Sequence, residues 1–205
     1  MNTKVDALLA QIGRLERDLA AEFARRQAEL KYGLEKGRVI FEEEIRRRHE
    51  ELKVDLLTYV LGARLSVVLT APVIYGLVIP LVLLDLFVTV YQAVCFPVYG
   101  IAKVRRRDYL IFDRHYLGYL NALEMLNCAY CSYANGLLGY AREIAARTEQ
   151  YWCPIKHARR VISAHGHYAH FSDYGDGEAY RAELGRLREA LGQDRRPGRD
   201  GRPEG

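Results

Sequence analysis

The sequence predicts an all-α membrane protein on three observations: an eleven-residue apolar repeat near the start, an almost uncharged middle, and cysteines and histidines gathered beyond it. Half of the 205 residues are apolar and 27% are charged, yet the two kinds are segregated. Between Leu56 and Ala102 the only charged side chains are Arg64 and Asp85. A chain so divided has material for one modest domain and a membrane segment, not for two globular enzymes.

Residues 1–55 are expected to form a coiled-coil stalk. Leu8, Leu19, Leu30, Phe41 and Leu52 recur every eleven residues, and Ile12, Phe23, Leu34, Ile45 and Leu56 repeat the pattern four places on. Eleven residues make three helical turns, so the ten side chains form one stripe with little drift, suited to a straight or slightly right-handed coiled coil. That stripe is narrow for a core helix, which points to a homo-oligomer through the N-terminal helix; packing within the protomer is the alternative. Gly33 and Gly37 weaken the helix locally. No Pro interrupts the path into the apolar run, so stalk and membrane helix are expected to be continuous.

Residues 56–102 are expected to form a two-span transmembrane hairpin. Leu65 to Leu84 carries no charge and is long enough to cross about 30 Å of hydrocarbon, and a second uncharged run, Leu86 to Ala102, follows. Pro72, Gly76 and Pro80 suggest a reversal between Gly76 and Pro80, giving spans of about Leu56–Val78 and Leu81–Ala102. Basic residues flank both ends: Arg46, Arg47, Arg48 and Lys53 before, Lys103, Arg105, Arg106 and Arg107 after. The positive-inside rule then places both termini in the cytoplasm. A re-entrant hairpin in one leaflet is the alternative. The tyrosines between 91 and 140 fit a membrane-interface belt better than a stacking platform, and no nucleic-acid partner is expected.

Residues 103–180 are expected to be a small helical Cys/His segment, broken at Asn135-Gly136. Cys128 and Cys131 form a CxxC, and Cys153 and His157 a CxxxH, a Cys3His set suited to Zn²⁺. Clustered thiols in a reducing compartment are more often metal ligands or redox groups than disulfides. Cys95 is an alternative fourth ligand, which would favour iron or an iron–sulfur cluster. Glu124 and Asn135 share the helical face of Cys128 and Cys131 and are candidate hydrogen-bonding supports; the alternative is that they cap or face solvent. Glu143 with Arg147 and Arg142 with Glu149 read as surface charge patterning. His165, His167 and His170 read as an exposed, pH-sensitive loop group with metal binding as the alternative. Residues 181–205 are expected to be a charged, largely disordered tail.

No GxSxG, HExxH, Walker A or GxGxxG pattern indicates a catalytic class. The runs FPVYGI, RRRDYLIFDRH, NCAYCSYANGL, REIAARTEQYWCPIKHARR and DYGDGEAY resemble an uncharacterised bacterial membrane-protein group with this layout. The resemblance covers the chain from the apolar region to about Tyr180. It implies a bacterial inner-membrane location and carries no established activity. Three functions are consistent with the residues: an oligomeric membrane-anchored scaffold with a zinc-stabilised cytoplasmic platform, an iron-binding membrane redox protein, or a metal-dependent enzyme acting on a lipid or membrane substrate.

Overall fold

The computed structural model describes residues 3–29, 32–35 and 38–193. It is mainly helical, and its only sheet among the described residues is a two-stranded hairpin. Two compact units share the chain: residues 1–62 with 113–128, and residues 63–112 with 129–205.

In the first unit, α1 (Thr3–Glu29) carries Leu8, Ile12, Leu15, Leu19 and Phe23 exposed. The stripe does not continue as one helix. Strands β1 (Tyr32–Glu35) and β2 (Arg38–Phe41) pair antiparallel, Glu35 opposite Arg38. The expected 55-residue stalk is therefore corrected. β-Branched Val39 and Ile40 favour extended chain. Leu30 lies outside the described residues. Helix α2 (Glu43–Glu51) follows, then α3 (Leu56–Leu61), whose N-cap Asp55 accepts hydrogen bonds from the Leu57 and Thr58 amides. The helix ends at Gly62, so stalk and membrane helix are not continuous.

In the second unit, α4 (Leu65–Gly76) and α5 (Val78–Tyr99) meet at Leu77, itself in the right-handed helical region at φ −63°, ψ −15°. They make one apolar helix of 35 residues, the one helix among the described residues long and apolar enough to cross a membrane. The two-span hairpin is thus corrected. Its supposed turn residues are accommodated without a reversal. Pro80 falls in the first turn of α5, where a missing N–H costs least, and the Leu77 and Leu81 amides still bond to Ile74 and Leu77 carbonyls.

α5 ends in a Schellman arrangement. Gly100, at φ +68°, donates to the Pro97 carbonyl, and Ile101 donates to that of Phe96. The chain then runs back beside α5: the Val104 amide bonds to Gln92, and Arg106 pairs with Asp85. Helix α6 (Ala122–Trp152) lies parallel to α5, with Tyr133 bonded to Asp85, Tyr140 to Gln92 and Tyr151 stacked on Tyr99. It is unbroken at Asn135-Gly136, contrary to expectation. Gly136 is there for a close approach instead, since a Cβ would lie 2.6 Å from the Tyr109 carbonyl oxygen. Phe96, Ile101, Val104, Leu137, Tyr140, Ile144 and Leu191 form the core. Leu187 and Leu191 belong to α7 (Gly177–Gln193), which overturns the disordered tail over that range; residues 194–205 lie outside the described residues. Two buried leucines on one face of an amphipathic helix outweigh the charged composition.

Candidate functional site

The metal set predicted from spacing is not assembled. Cys128 and Cys131 lie on α6, and Cys153 and His157 follow its far end. Roughly twenty residues of continuous helix separate Cys131 from Cys153, about 30 Å at 1.5 Å per residue, several times the reach of two ligands on one ion. The sequence distance was compatible with a fold-back, but the unbroken helix removes it. Among the described residues no three or more His, Cys, Asp or Glu side chains are placed to hold a metal ion. Cys131 and Cys153 are exposed, Cys128 and Cys95 half-buried, and all four are free thiols. Cys95 lies on α5.

The supporting groups proposed beside the thiols have other work. Asn121 accepts from the Leu123 and Glu124 amides while Glu124 accepts from the Asn121 amide at 2.9 Å, a reciprocal capping box that starts α6. Asn135 donates to the Cys131 carbonyl one turn back. His157 stacks on Tyr168, whose hydroxyl meets its backbone amide and lies 3.2 Å from Nδ1.

The structure brings together a polar cluster that sequence reading had assigned to the surface. Glu143, Arg147 and Gln150 project from α6 at intervals of four and three, towards the loop that carries His165 and His167. Arg147, with a side chain only 8% exposed, donates from Nε to Glu143 at 2.9 Å and from Nη1 to the Ala102 carbonyl at 2.8 Å. Gln150 donates to the Leu187 carbonyl, which turns its Oε1 towards His167 Nδ1 at 2.6 Å. The other ring nitrogen lies 3.1 Å from Glu143. Each ring nitrogen of His167 thus lies within hydrogen-bond distance of a side-chain oxygen on α6. Beside it, His165 Nε2 lies 2.9 Å from Glu149 and its Nδ1 is buried without a hydrogen-bond partner. His170 is exposed, and its amide donates to the His167 carbonyl at 3.1 Å.

Burial pushes the Glu143 carboxyl up, but the hydrogen bonds from His167 and Arg147 and their positive charges outweigh it and hold it at about 2. The cluster consequently behaves as a buried ion-pair network with few groups left over to do chemistry. It joins four pieces of chain: α6, the segment after α5, the histidine loop and, through Gln150, α7. The sequence signal for it was the 143–147–150 spacing, which marks a common helical face but not whether that face is wet.

A second, shallow cleft of about 270 Å³ lies in the first unit, lined by residues including Ile40, Arg46, His49 and Tyr116. His49 is held edge-on between Phe41 and Tyr119, at 4.8 and 5.0 Å. Comparison with protein-family models, curated proteins and solved structures gives no match to this chain.

Proposed function

We propose that the chain is a membrane-anchored scaffold with a single crossing, in which Leu65–Leu84 passes through the hydrocarbon core and the packed body beginning at Asp85 stands on one aqueous face. The observation that carries this reading is the change of surroundings along one helix. From Leu65 to Pro80 every residue except Ala71 and Tyr75 is exposed, and the segment is apolar on all sides, unlike an interfacial helix. Polar contacts gather from Asp85 onward, Arg106 and Tyr133 on Asp85 and Tyr140 and Val104 on Gln92, whereas α6 reaches the earlier half at Tyr130, which donates to the Ile74 carbonyl and packs on Tyr75. Twenty residues at 1.5 Å each match the thickness of about 30 Å that a crossing needs.

A single crossing puts the two termini on opposite faces, in place of two cytoplasmic ends. The exposed, unpaired thiols of Cys131 and Cys153 suit a reducing side, so the body is assigned to the cytoplasmic face of a bacterial inner membrane, as the family resemblance implies. The exposed stripe of α1 is the surface for self-association. The scaffold reading needs no zinc and is supported by the helix alone, whereas the redox and metal-enzyme alternatives call for a ligand group, and none is gathered among the described residues.

Reporter fusions at both ends and alkaline extraction of membranes test this reading. The protein should resist extraction and its ends should report opposite faces; release by alkali, or two ends on one face, would reject it.

A further inference from the structure

Resting on the single-crossing reading, the position of one basic turn identifies what it meets. Lys103, Arg105, Arg106 and Arg107 follow α5; Lys103 stays beside its last turns, between Ala102 and Val104, which bond to Leu191 and Gln92, while the arginines after it are carried back. The chain doubles back, and the Arg106 guanidinium pairs with Asp85, whose side chain is 15% exposed. Asp85 is the first charged residue after the bare segment, so this contact pins the turn at the level where the hydrocarbon would end. A second anchor fixes it. The Tyr109 carbonyl sits against Gly136 and the Tyr109 ring against Gly139, an approach that any larger residue at 136 would obstruct.

Four cations in and beside this turn are opposed by two carboxylates, Asp85 and Asp108, which leaves two positive charges unneutralised. Arg107 is 80% exposed and its nearest carboxylate oxygen, on Asp108, is 3.9 Å away. Lys103 is exposed as well. Ile111 and Phe112, just beyond, are exposed apolar side chains. Cations at a bilayer boundary with apolar side chains beside them match a surface of phosphate-bearing lipid, and each such cation adds to its attraction for anionic headgroups.

We infer that the Lys103–Arg107 turn binds the phosphate groups of anionic phospholipids around the membrane helix. The full chain, reconstituted in phosphatidylcholine vesicles with and without about one third phosphatidylglycerol, is tested with spin-labelled lipids of each headgroup. Wild type should prefer the anionic label about five- to tenfold at low ionic strength and lose most of that preference in high salt. Lys103→Gln/Arg107→Gln should bring the preference close to parity while the protein still floats with both vesicles; Arg107→Lys should keep it. Equal selectivity in wild type and the double variant overturns the inference but leaves the membrane anchor standing. Failure to float with either vesicle overturns the anchor and the inference together. Inorganic phosphate, at the ionic strength of a chloride control, should compete no better than chloride; selective displacement by phosphate would assign the turn to the free anion instead.

Discussion

Two halves of one helix, Leu65–Leu84 and Asp85–Tyr99, differ in almost nothing that hydropathy measures and in nearly everything that packing measures. Both are apolar and nearly uncharged. The first is exposed over most of its length, touched by Tyr130 at Ile74 and Tyr75 and entering the core only at Leu81 and Leu84, whereas the second buries Gln92 and Phe96 and half-buries Asp85, Val88, Tyr91 and Tyr99 along one face. Spacings of three and four residues place that face towards α6, and its polar members each find a partner. An apolar run is therefore two kinds of segment: one left largely exposed and one whose surroundings are the rest of the protein.

The sharpest way to break this comparison is to charge the bare half. Val73→Arg/Leu77→Arg places two cations on exposed positions of that half, each costing about 2.5–3.5 kcal/mol near a bilayer centre. Membrane retention should fall by more than tenfold in alkaline extraction, with the thermal unfolding of the solubilised body unchanged. Phe96→Ala should do the reverse. Phe96 is fully buried, so the body should lose about 3–5 kcal/mol in denaturant unfolding while membrane retention is unaltered.

Next in size is the ion-pair network. Glu143→Gln removes the charge facing Arg147 and His167 and should cost about 2–3 kcal/mol at neutral pH. The pH dependence has a definite sign. The folded carboxyl is held at about 2, below its ordinary value of 4.5, so its stabilisation is complete above the unfolded value and disappears as pH falls through the folded one. Between pH 5 and 2 the wild-type advantage over Glu143→Gln should shrink in parallel unfolding curves; a constant gap would mean that the charge is not the source.

Gly136→Ala tests the contact that brings the basic turn back along the helix. Its Cβ would sit 2.6 Å from a backbone oxygen, and about 1–3 kcal/mol should be lost from the body's stability in denaturant titration. The smallest effect is expected at the thiols. Cys131→Ser and Cys153→Ser alter exposed side chains about a helix length apart and should each stay within about 0.5 kcal/mol. A larger loss accompanied by loss of bound zinc would restore the metal reading.

Which features were legible from residues alone follows from the range of the interactions behind them. The helical class and a helix long and apolar enough to cross a membrane depend on local composition and period, and both are present. The capping box at Asn121 and Glu124 is equally local, and capping was the alternative reading of Glu124. The eleven-residue stripe misled because Leu34 and Phe41 fit its period while lying in strands, and backbone pairing between Tyr32–Glu35 and Arg38–Phe41 decided for the hairpin. The Cys3His spacing misled in the opposite way: sequence distance bounds how far apart ligands can be, but not whether the chain between them folds back.

By itself, then, the sequence determined that this chain is helical and that one segment of it is suited to lipid, because hydrogen bonding within a helix and the transfer of apolar side chains need no distant partner. Only the tertiary structure decided that the proline-bearing run continues through Leu77 without a reversal, that Arg106 returns to Asp85, and that Glu143, Arg147 and His167 are a buried network. Those outcomes depend on which surfaces meet across tens of residues. A charge whose partner lies on another element is indistinguishable, in sequence, from a charge in water.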